Sequence, residues 1–311
     1  MEECETIVVG AGLAGLTLAS DLVRSGADVL LLEKSRGLGG RMATRRTDTG
    51  TFDHGAQFLD PETAEFRDFL MDAVAAGAAA EWDGLSKAKV YVGVPGMSGL
   101  VSSIAQGLRV RFQVEVAAVE ANAGTWSLKD SEGRALAASR RLVLAVPAPQ
   151  AQRLLGAHPM AKDLSVAAYT PCWTLMAAFA DPLPLPKVLR DADPVLPWIA
   201  RDNSKPGRTA EYETWVVQAA ADWSAANLER ERAEIRDILL EAFAVQTGNE
   251  LKPVYASAHR WRYALVAEPL GQPCLVHEET ALVAVGDWCL GPRAEHAFLS
   301  GRAGAEAVRR L

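Results

Sequence analysis

Cysteine is scarce in this chain. The 311 residues hold four, at Cys4, Cys172, Cys274 and Cys289, with no zinc-like paired spacing and far below the density of a disulfide scaffold. That usage suits a reducing compartment. Cations are in deficit too: 32 Lys+Arg against 39 Asp+Glu leave a net charge of −7, which argues against a surface built for nucleic acid or anionic membrane. Any basic patch must be local. No apolar run approaches the roughly 20 residues of a transmembrane helix, and Met1-Glu2-Glu3 is too acidic to open a signal peptide. The expectation is a soluble, cytoplasmic protein whose mature chain starts here, with no membrane or nucleic-acid partner. Internal repeats, low-complexity segments, metal-ligand spacings, a Ser-His-Asp order and a persuasive carboxylate pair are all missing. What remains is 49% hydrophobic, enough to build two cooperating lobes around a large core.

The stretch from Ile7 to Arg41 is the most informative. An apolar strand (Ile7, Val8, Val9) runs into Gly10-Ala11-Gly12-Leu13-Ala14-Gly15. A helical pattern through Leu16, Ala19, Leu22 and Val23 stops at Gly26, and a second strand from Val29 ends on Glu33. Strand, glycine turn, helix, strand and then an acid about 20 residues on is the context of a dinucleotide site. Gly10 allows the tight turn, Gly12 the approach of a pyrophosphate, and Gly15 close packing of helix on sheet. The free N–H groups of the helix start face the anion, and Glu33 is placed to accept from ribose hydroxyls. A second glycine-rich turn with cations follows, Lys34 to Arg41. A plain NAD site has no need of it, whereas the longer pyrophosphate arm of FAD lies across two loops. The expected cofactor is FAD, bound non-covalently.

Further on, Asp60-Pro61 reads as a helix start, and Phe66, Phe69, Leu70, Ala73 and Val74 recur at helical spacing. Lys89 to Val94 reads as a strand and Val110 to Val116 as a half-buried one. Trp126 to Asp130 and Arg141 to Val146 suggest a meander returning to the main sheet, and a helix follows from Ala148. Asp181 to Pro197 is Pro-rich loop. Strands are expected at Trp173–Phe179, Thr214–Ala219, Val254–Tyr263 and Ala281–Val285. One long amphipathic helix is expected over Ala225–Val245, and a last helix from about Glu295. The cofactor domain is therefore discontinuous (1–60, 95–158 and 265–311), and a substrate domain comes from two insertions (61–94 and 159–264).

The stretch through Arg41 is similar to the glutathione-reductase-type FAD fold in its amine-oxidase branch. Five separated motifs carry a narrower resemblance, to renalase-like flavoproteins. They are Lys34-Ser35-Arg36-Gly37-x-Gly39-Gly40-Arg41-Met42, Asp53-x-Gly55-Ala56-Gln57, Pro95-Gly96-Met97-Ser98, His259-Arg260-Trp261-x-Tyr263-Ala264, and Gly286-Asp287-Trp288-Cys289-Leu290 leading to Ser300-Gly301. The resemblance implies an α/β fold: a Rossmann FAD-binding domain with an inserted mixed-sheet substrate domain, of the amine-oxidase and p-hydroxybenzoate-hydroxylase type. It implies FAD contacts from Leu13, Glu33, Lys34, Arg41, Gln57 and Phe58. It adds Val116 by its backbone at the adenine end, Asp287 at the ribitol and Ala294 by the pyrimidine. With Gly10, Gly12, Ala14, Gly15, Gly40 and Ala56 these make up the expected cofactor site. A helix starting near Glu295 would turn its positive end to the flavin edge where charge gathers on reduction.

His259, Trp261 and Tyr263 alternate on one strand, so they share a face, with Arg260 and Arg262 on the other. With Trp288, and with Gln57, Leu59 and Cys172 as further candidates, they either wall a substrate pocket or form a core stripe with one satisfied histidine. Cys289 is expected to be buried and inert. The Lys205–Arg208 turn, Lys87 and Lys89 read as solvated cations, candidates for a substrate phosphate. The activity implied is oxidation of 1,2- and 1,6-dihydro isomers of NAD(P) by hydride transfer to FAD, with O2 yielding hydrogen peroxide. No strong base is required, because the dihydropyridine donates hydride and gains aromaticity. The alternatives are a flavin amine oxidase acting on a small amine, and a non-catalytic FAD- or nucleotide-binding protein.

Overall fold

The computed structural model describes residues 2–85, 89–191, 193–248 and 252–311. Two compact units divide them: Met1–Gly40, Val101–Ala168 and Val266–Leu311 form one, Arg41–Leu100 and Tyr169–Leu265 the other. Among the described residues no helix is long and apolar enough to cross a membrane.

The first unit is built on an eight-stranded sheet. Its path runs Leu275–His277, Leu282–Ala284, Ala135–Leu144, Glu2–Val9, Val29–Glu33, Arg109–Phe112. The four pairings from Leu282–Ala284 across to Arg109–Phe112 are parallel. Strands buried on both faces need continuous apolar runs, and Thr6–Val9 and Val29–Glu33 are buried throughout. Ala118–Asn122 pairs antiparallel with Thr125–Lys129, which pairs antiparallel with Ala135–Leu144, completing the expected meander. The strand expected over Val110–Val116 ends at Phe112, because Gln113 takes a positive φ of 59°. Helix Leu13–Arg24 packs along the last helix, Ala294–Arg310. Gly301 makes that approach possible: a Cβ there would sit 2.5 Å from the carbonyl oxygen of Ala14.

The second unit carries a five-stranded sheet in the order Val188–Arg190, Trp198–Arg201, Glu213–Gln218, Ala168–Phe179, Tyr255–Glu268. Strand Ala168–Phe179 has two apolar faces. Trp173, Leu175, Ala177 and Phe179 pack with Ile235, Leu239 and Phe243 of helix Arg232–Thr247. Met176 and Ala178 turn the other way, against Phe52 and Val216.

That packing of Phe52 moves a boundary. Residues 41–60 were expected with the cofactor domain, but the hairpin of Thr44–Thr47 and Gly50–Asp53 lies with the second unit, as do residues 95–100. Two helix assignments also change. Thr63, not Asp60, caps helix Ala64–Ala75, its hydroxyl accepting from the Phe66 N–H at 3.2 Å. The helix expected over Ala225–Val245 is two, Ala221–Ala226 and Arg232–Thr247. Between them Arg260 donates to the carbonyl of Leu228 at 2.6 Å, and Glu229 pairs with Arg260 and Arg262.

Candidate functional site

In the first unit the glycine turn has the geometry its sequence asks for. Gly10 has φ 104°, and a Cβ there would lie 2.5 Å from the carbonyl oxygen of Ala145. A Cβ on Gly15, in the first turn of the helix, would run into the carbonyl of Gly10. Gly12 differs: nothing lies within 4 Å of where its Cβ would be. It caps the helix start in extended conformation and bridges to Gly39, so the two glycine-rich turns meet. Leu13 and Ala14 open the helix and are buried. Glu33 closes the adjacent strand, its carboxylate accepting from the Ala11 N–H at 2.9 Å and the Ser35 N–H at 2.7 Å. Each oxygen keeps a lone pair for another donor. Lys34 is exposed, with Nζ 3.4 Å from Gln150 Oε1. Val116 lies two residues past Val114, whose N–H donates to the Glu33 carbonyl.

Late in the same unit's sequence, just past strand Leu282–Ala284, Asp287 is buried and begins a 3-10 turn, its carbonyl accepting from Leu290 and Gly291. It does not cap the last helix, which starts at Ala294 behind a reciprocal pairing of Arg293 and His296. Trp288 corrects an expectation. It is fully buried, with its indole N–H on the Val146 carbonyl at 3.1 Å, so it is core rather than pocket wall. Cys289 is buried as expected, and burial pushes its thiol up to about 12.

In the second unit the residues after Arg41 form a tightly bonded loop. Ala56 N–H donates to the Arg41 carbonyl at 2.8 Å, and the Arg41 guanidinium donates to the Ala264 carbonyl at 3.1 Å. Gln57 was expected to contact both cofactor and substrate, but its amide is already committed. Nε2 donates to the carbonyls of Asp53 and Gly55, while Oε1 accepts from Trp198 Nε1 at 3.2 Å and Lys205 Nζ at 3.3 Å. That is the full capacity of a primary amide, so the Gln57 side chain holds the loop. Leu59 is core, 1% exposed, with its backbone bridged to Tyr91. Phe58 is half-buried beside Trp198.

Lys205 and Arg208 are not solvated cations. Both side chains are buried against two buried carboxylates. Lys205 Nζ lies 2.7 Å from Asp202 and 3.6 Å from Asp53, and Arg208 pairs with Asp53 and donates to the Gly93 carbonyl at 2.6 Å. Asp53 also accepts from the Met97 N–H at 2.9 Å and the Thr44 hydroxyl at 2.7 Å. Burial works to raise the Asp53 pKa, but Lys205 and Arg208 hold it below the ordinary carboxylate value. Asp202 is raised by burial, with repulsion from Asp53 added. Lys89 is exposed, 3.4 Å from Glu81, and Lys87 lies outside the described residues.

A third group stands on the opposite face of the same hairpin. His259 and Trp261 share a strand face as expected, their rings 4.3 Å apart. The partner that sequence reasoning missed is His54, edge-on to His259 at 4.8 Å and tilted on Trp261 at 5.1 Å. Trp261 Nε1 donates to the His54 carbonyl at 2.8 Å, which fixes the cluster. Among the described residues the Nδ1 atoms of both histidines have no hydrogen-bond partner, and both are buried. Burial lowers His54 to about 4 and His259 to about 3, with Arg45 adding to both and Arg232 to His259. Both imidazoles are therefore neutral and weakly basic at physiological pH. Tyr263 sits apart, edge-on to Tyr169 at 5.5 Å. Cys172 points its thiol at the carbonyls of Trp173 and Ala219, and burial pushes it up to about 11. Arg260 and Arg262 take the other face with Glu229.

Comparison with known proteins supplies the family. Residues 8–73 match the NAD(P)-binding Rossmann-like domain, and residues 68–309 match the flavin containing amine oxidoreductase family. The chain belongs to the flavin-containing amine oxidoreductases.

Curated relatives of this flavin-containing amine oxidoreductase match it over a short stretch. A carotenoid 3,4-desaturase of Haloarcula japonica is 44% identical over 62 residues, 20% of this chain and 12% of the relative. An L-amino acid dehydrogenase of Synechocystis is 39% identical over 64 residues, 20% of this chain and 14% of the relative. The likeness of fold runs through the whole chain. Cyclohexylamine oxidase from Brevibacterium oxydans superposes with TM-score 0.72 at 14% identity, covering 99% of each chain. A provisionally named protoporphyrinogen oxidase from Exiguobacterium gives 0.79 at 13%, again covering 99% of each.

FAD is the cofactor of this family member, and the residues present fit it. The open space over Gly12 and the meeting of the Gly12 and Gly39 turns leave room for a pyrophosphate beside free helix N–H groups. The spare lone pairs of Glu33 suit a ribose diol. Among the described residues no cluster of His, Cys, Asp and Glu could hold a metal ion.

Proposed function

We propose that this flavin-containing amine oxidoreductase oxidises the 1,2- and 1,6-dihydro isomers of NAD(P), releasing NAD(P)+ and, with O2 as final acceptor, hydrogen peroxide. The His54–His259–Trp261 cluster carries the reading: two neutral, weakly basic imidazoles beside an indole, in the field of Arg45. Such a cluster is a poor proton acceptor at neutral pH and a poor host for an ammonium ion. It suits a flat, anionic-tailed donor that gives up hydride without a base. The five-motif resemblance to renalase-like flavoproteins supports the same substrate class.

When bound, FAD supplies a hydride acceptor at flavin N5 and hands the electrons on to oxygen. Orientation is the work left to the protein. Trp261, pinned through its indole N–H, offers a rigid face for a pyridine ring, and Tyr263 extends the same strand face. Within the fingerprint unit the residues proposed to hold the cofactor are Gly10 to Gly15, Glu33, Lys34, Gly40, Val116, Asp287 and Ala294. The Tyr169–Leu265 segment serves the substrate. The remaining partner is O2, and the protein works in the cytoplasm.

Family membership and the fold of cyclohexylamine oxidase favour a second reading, oxidation of a small amine. One anaerobic experiment separates the two. The FAD-loaded protein is mixed with borohydride-reduced NAD (a mixture of dihydro isomers), with pure 1,4-NADH and with a panel of amines, while flavin absorbance is followed. Rapid bleaching by the isomer mixture alone is expected. Bleaching by an amine and not by the mixture establishes the second reading instead.

A further inference from the structure

Arg45 pairs with Phe52 across the hairpin, so their side chains share a face, and His54, two residues beyond Phe52, continues it. That face meets one face of strand Tyr255–Glu268: Phe52 stacks on Tyr255 at 5.4 Å, and His54 meets His259 and Trp261. Thr44 and Asp53 are the alternate pair, and the Asp53 carboxylate is consumed by Thr44, Met97, Lys205 and Arg208. The Asp53 carboxylate is thus already neutralised and turned away from Arg45.

Arg45 is half-buried, yet among the described residues its guanidinium has no hydrogen bond or ion pair. Arginines near it in the same unit are engaged: Arg41 on the Ala264 carbonyl, Arg46 on Ser98, Arg201 on Glu213, Arg208 on Asp53. A half-buried guanidinium left unpaired loses solvation without compensation, and so do the two unpartnered Nδ1 atoms beside it. Three unmet polar groups on one face, around an indole, describe a ligand with an anionic part and an uncharged polar part. Arg232, exposed at the start of its helix, adds positive charge near His259.

We propose that Arg45 anchors the phosphate or pyrophosphate of the substrate nucleotide, and that His54 and His259 hydrogen-bond the polar substituent of its ring through Nδ1. The assignment rests on the proposed dinucleotide substrate and names the residues that would select it. A guanidinium fork matches phosphate oxygens bidentately. A neutral imidazole can donate or accept at Nδ1 according to tautomer, as an amide substituent on the ring requires.

The test uses FAD-loaded wild type, Arg45→Ala, Arg45→Lys and His54→Phe, titrated with NAD+ and with 1-methylnicotinamide, which has the ring and its amide but no phosphate. Binding is read from the shift in flavin absorbance, with FAD content and melting recorded for each variant. Arg45→Ala is expected to weaken NAD+ about tenfold to a hundredfold, the size of one lost charge-assisted contact, and to leave 1-methylnicotinamide unchanged. Arg45→Lys recovers part of the loss, and His54→Phe weakens both ligands. Unchanged NAD+ binding by Arg45→Ala, or equal weakening of both ligands, overturns the assignment while the dinucleotide reading stands. Loss of FAD from Arg45→Ala overturns it by giving Arg45 to the cofactor. Failure of the wild type to bind NAD+ at all removes the dinucleotide reading and the assignment together.

Discussion

Replacing Asp53 by Asn takes one negative charge out of a fully buried group of two carboxylates and two cations. The shape is nearly conserved and the hydrogen bonding is not. Oδ1 keeps the Met97 N–H and the Thr44 hydroxyl, but an amide NH2 in place of Oδ2 puts a donor against the Arg208 and Lys205 donors. Breaking a buried ion pair from one side costs about 3–5 kcal/mol, because the remaining charges stay buried without compensation. For a domain of 150–250 residues each kcal/mol moves the melting midpoint by about 2–4 °C, so calorimetry at pH 7 is expected to show a fall of roughly 6–20 °C. The pH dependence has a definite sign. The folded pKa of Asp53 is depressed, so its stabilisation is present above the unfolded carboxylate value near 3.9 and is lost as pH falls through the folded value. Asp202 is raised, so its contribution is present below its unfolded value and fades as pH rises through the folded one. Asp53→Asn therefore removes the first trend and relieves the second, since the repulsion on Asp202 disappears. Asp83→Asn is the control: Asp83 pairs with Lys187 at 2.9 Å, but on the exposed surface, and no resolvable change in melting is expected. Equal melting of the Asp53 and Asp83 variants refutes the claim that burial, rather than pairing, sets the cost.

Three further outcomes follow from particular side chains. Gly12→Val puts branched carbons into space that is empty around the fold and suited to a pyrophosphate, so the purified protein should be folded by circular dichroism and colourless; a yellow variant contradicts the cradle. Thr63→Ala removes the one hydroxyl that caps its helix, and urea titration should report a loss of about 1 kcal/mol. His54 has a folded pKa lowered to about 4, so the stability its neutral form confers is present above about 6.5 and is lost as pH falls toward 4. His54→Phe should flatten that acid-side loss, and an unchanged slope between pH 6.5 and 4 argues against a buried neutral imidazole.

The parts legible in the sequence were those governed by local chemistry. The run Ile7–Val9, the three glycines and Glu33 specify their geometry within a short stretch, and the structure reproduces it. The alternation of His259, Arg260, Trp261 and Arg262 follows from the strand period alone. What escaped depends on partners far away. Lys205 and Arg208 look like ordinary turn cations until Asp53, about 150 residues earlier in the chain, is brought to them. Leu228 keeps the phase of Ile235, Leu239 and Phe243, so no local signal ends the helix before it. The break follows from Arg260 taking the Leu228 carbonyl. His54 sat unremarked in a glycine-rich motif because its significance is the ring it meets on another strand.

The packing of helix Ala294–Arg310 along helix Leu13–Arg24 has a bearing on synthesis. Strand Glu2–Val9 and its glycine turn leave the ribosome well before the neighbour strand Ala135–Leu144 and the helix that covers Leu13–Arg24. The nascent strand waits for Ala135–Leu144 to pair its open side, and the helix after it stays bare until Ala294–Arg310 is made. Closing contacts of such sequence separation is slow and leaves sticky surface exposed meanwhile. A stalled or truncated chain lacking the last helix therefore has its cofactor turn in sequence and no finished scaffold to hold it, which makes it a natural client for chaperones and proteases.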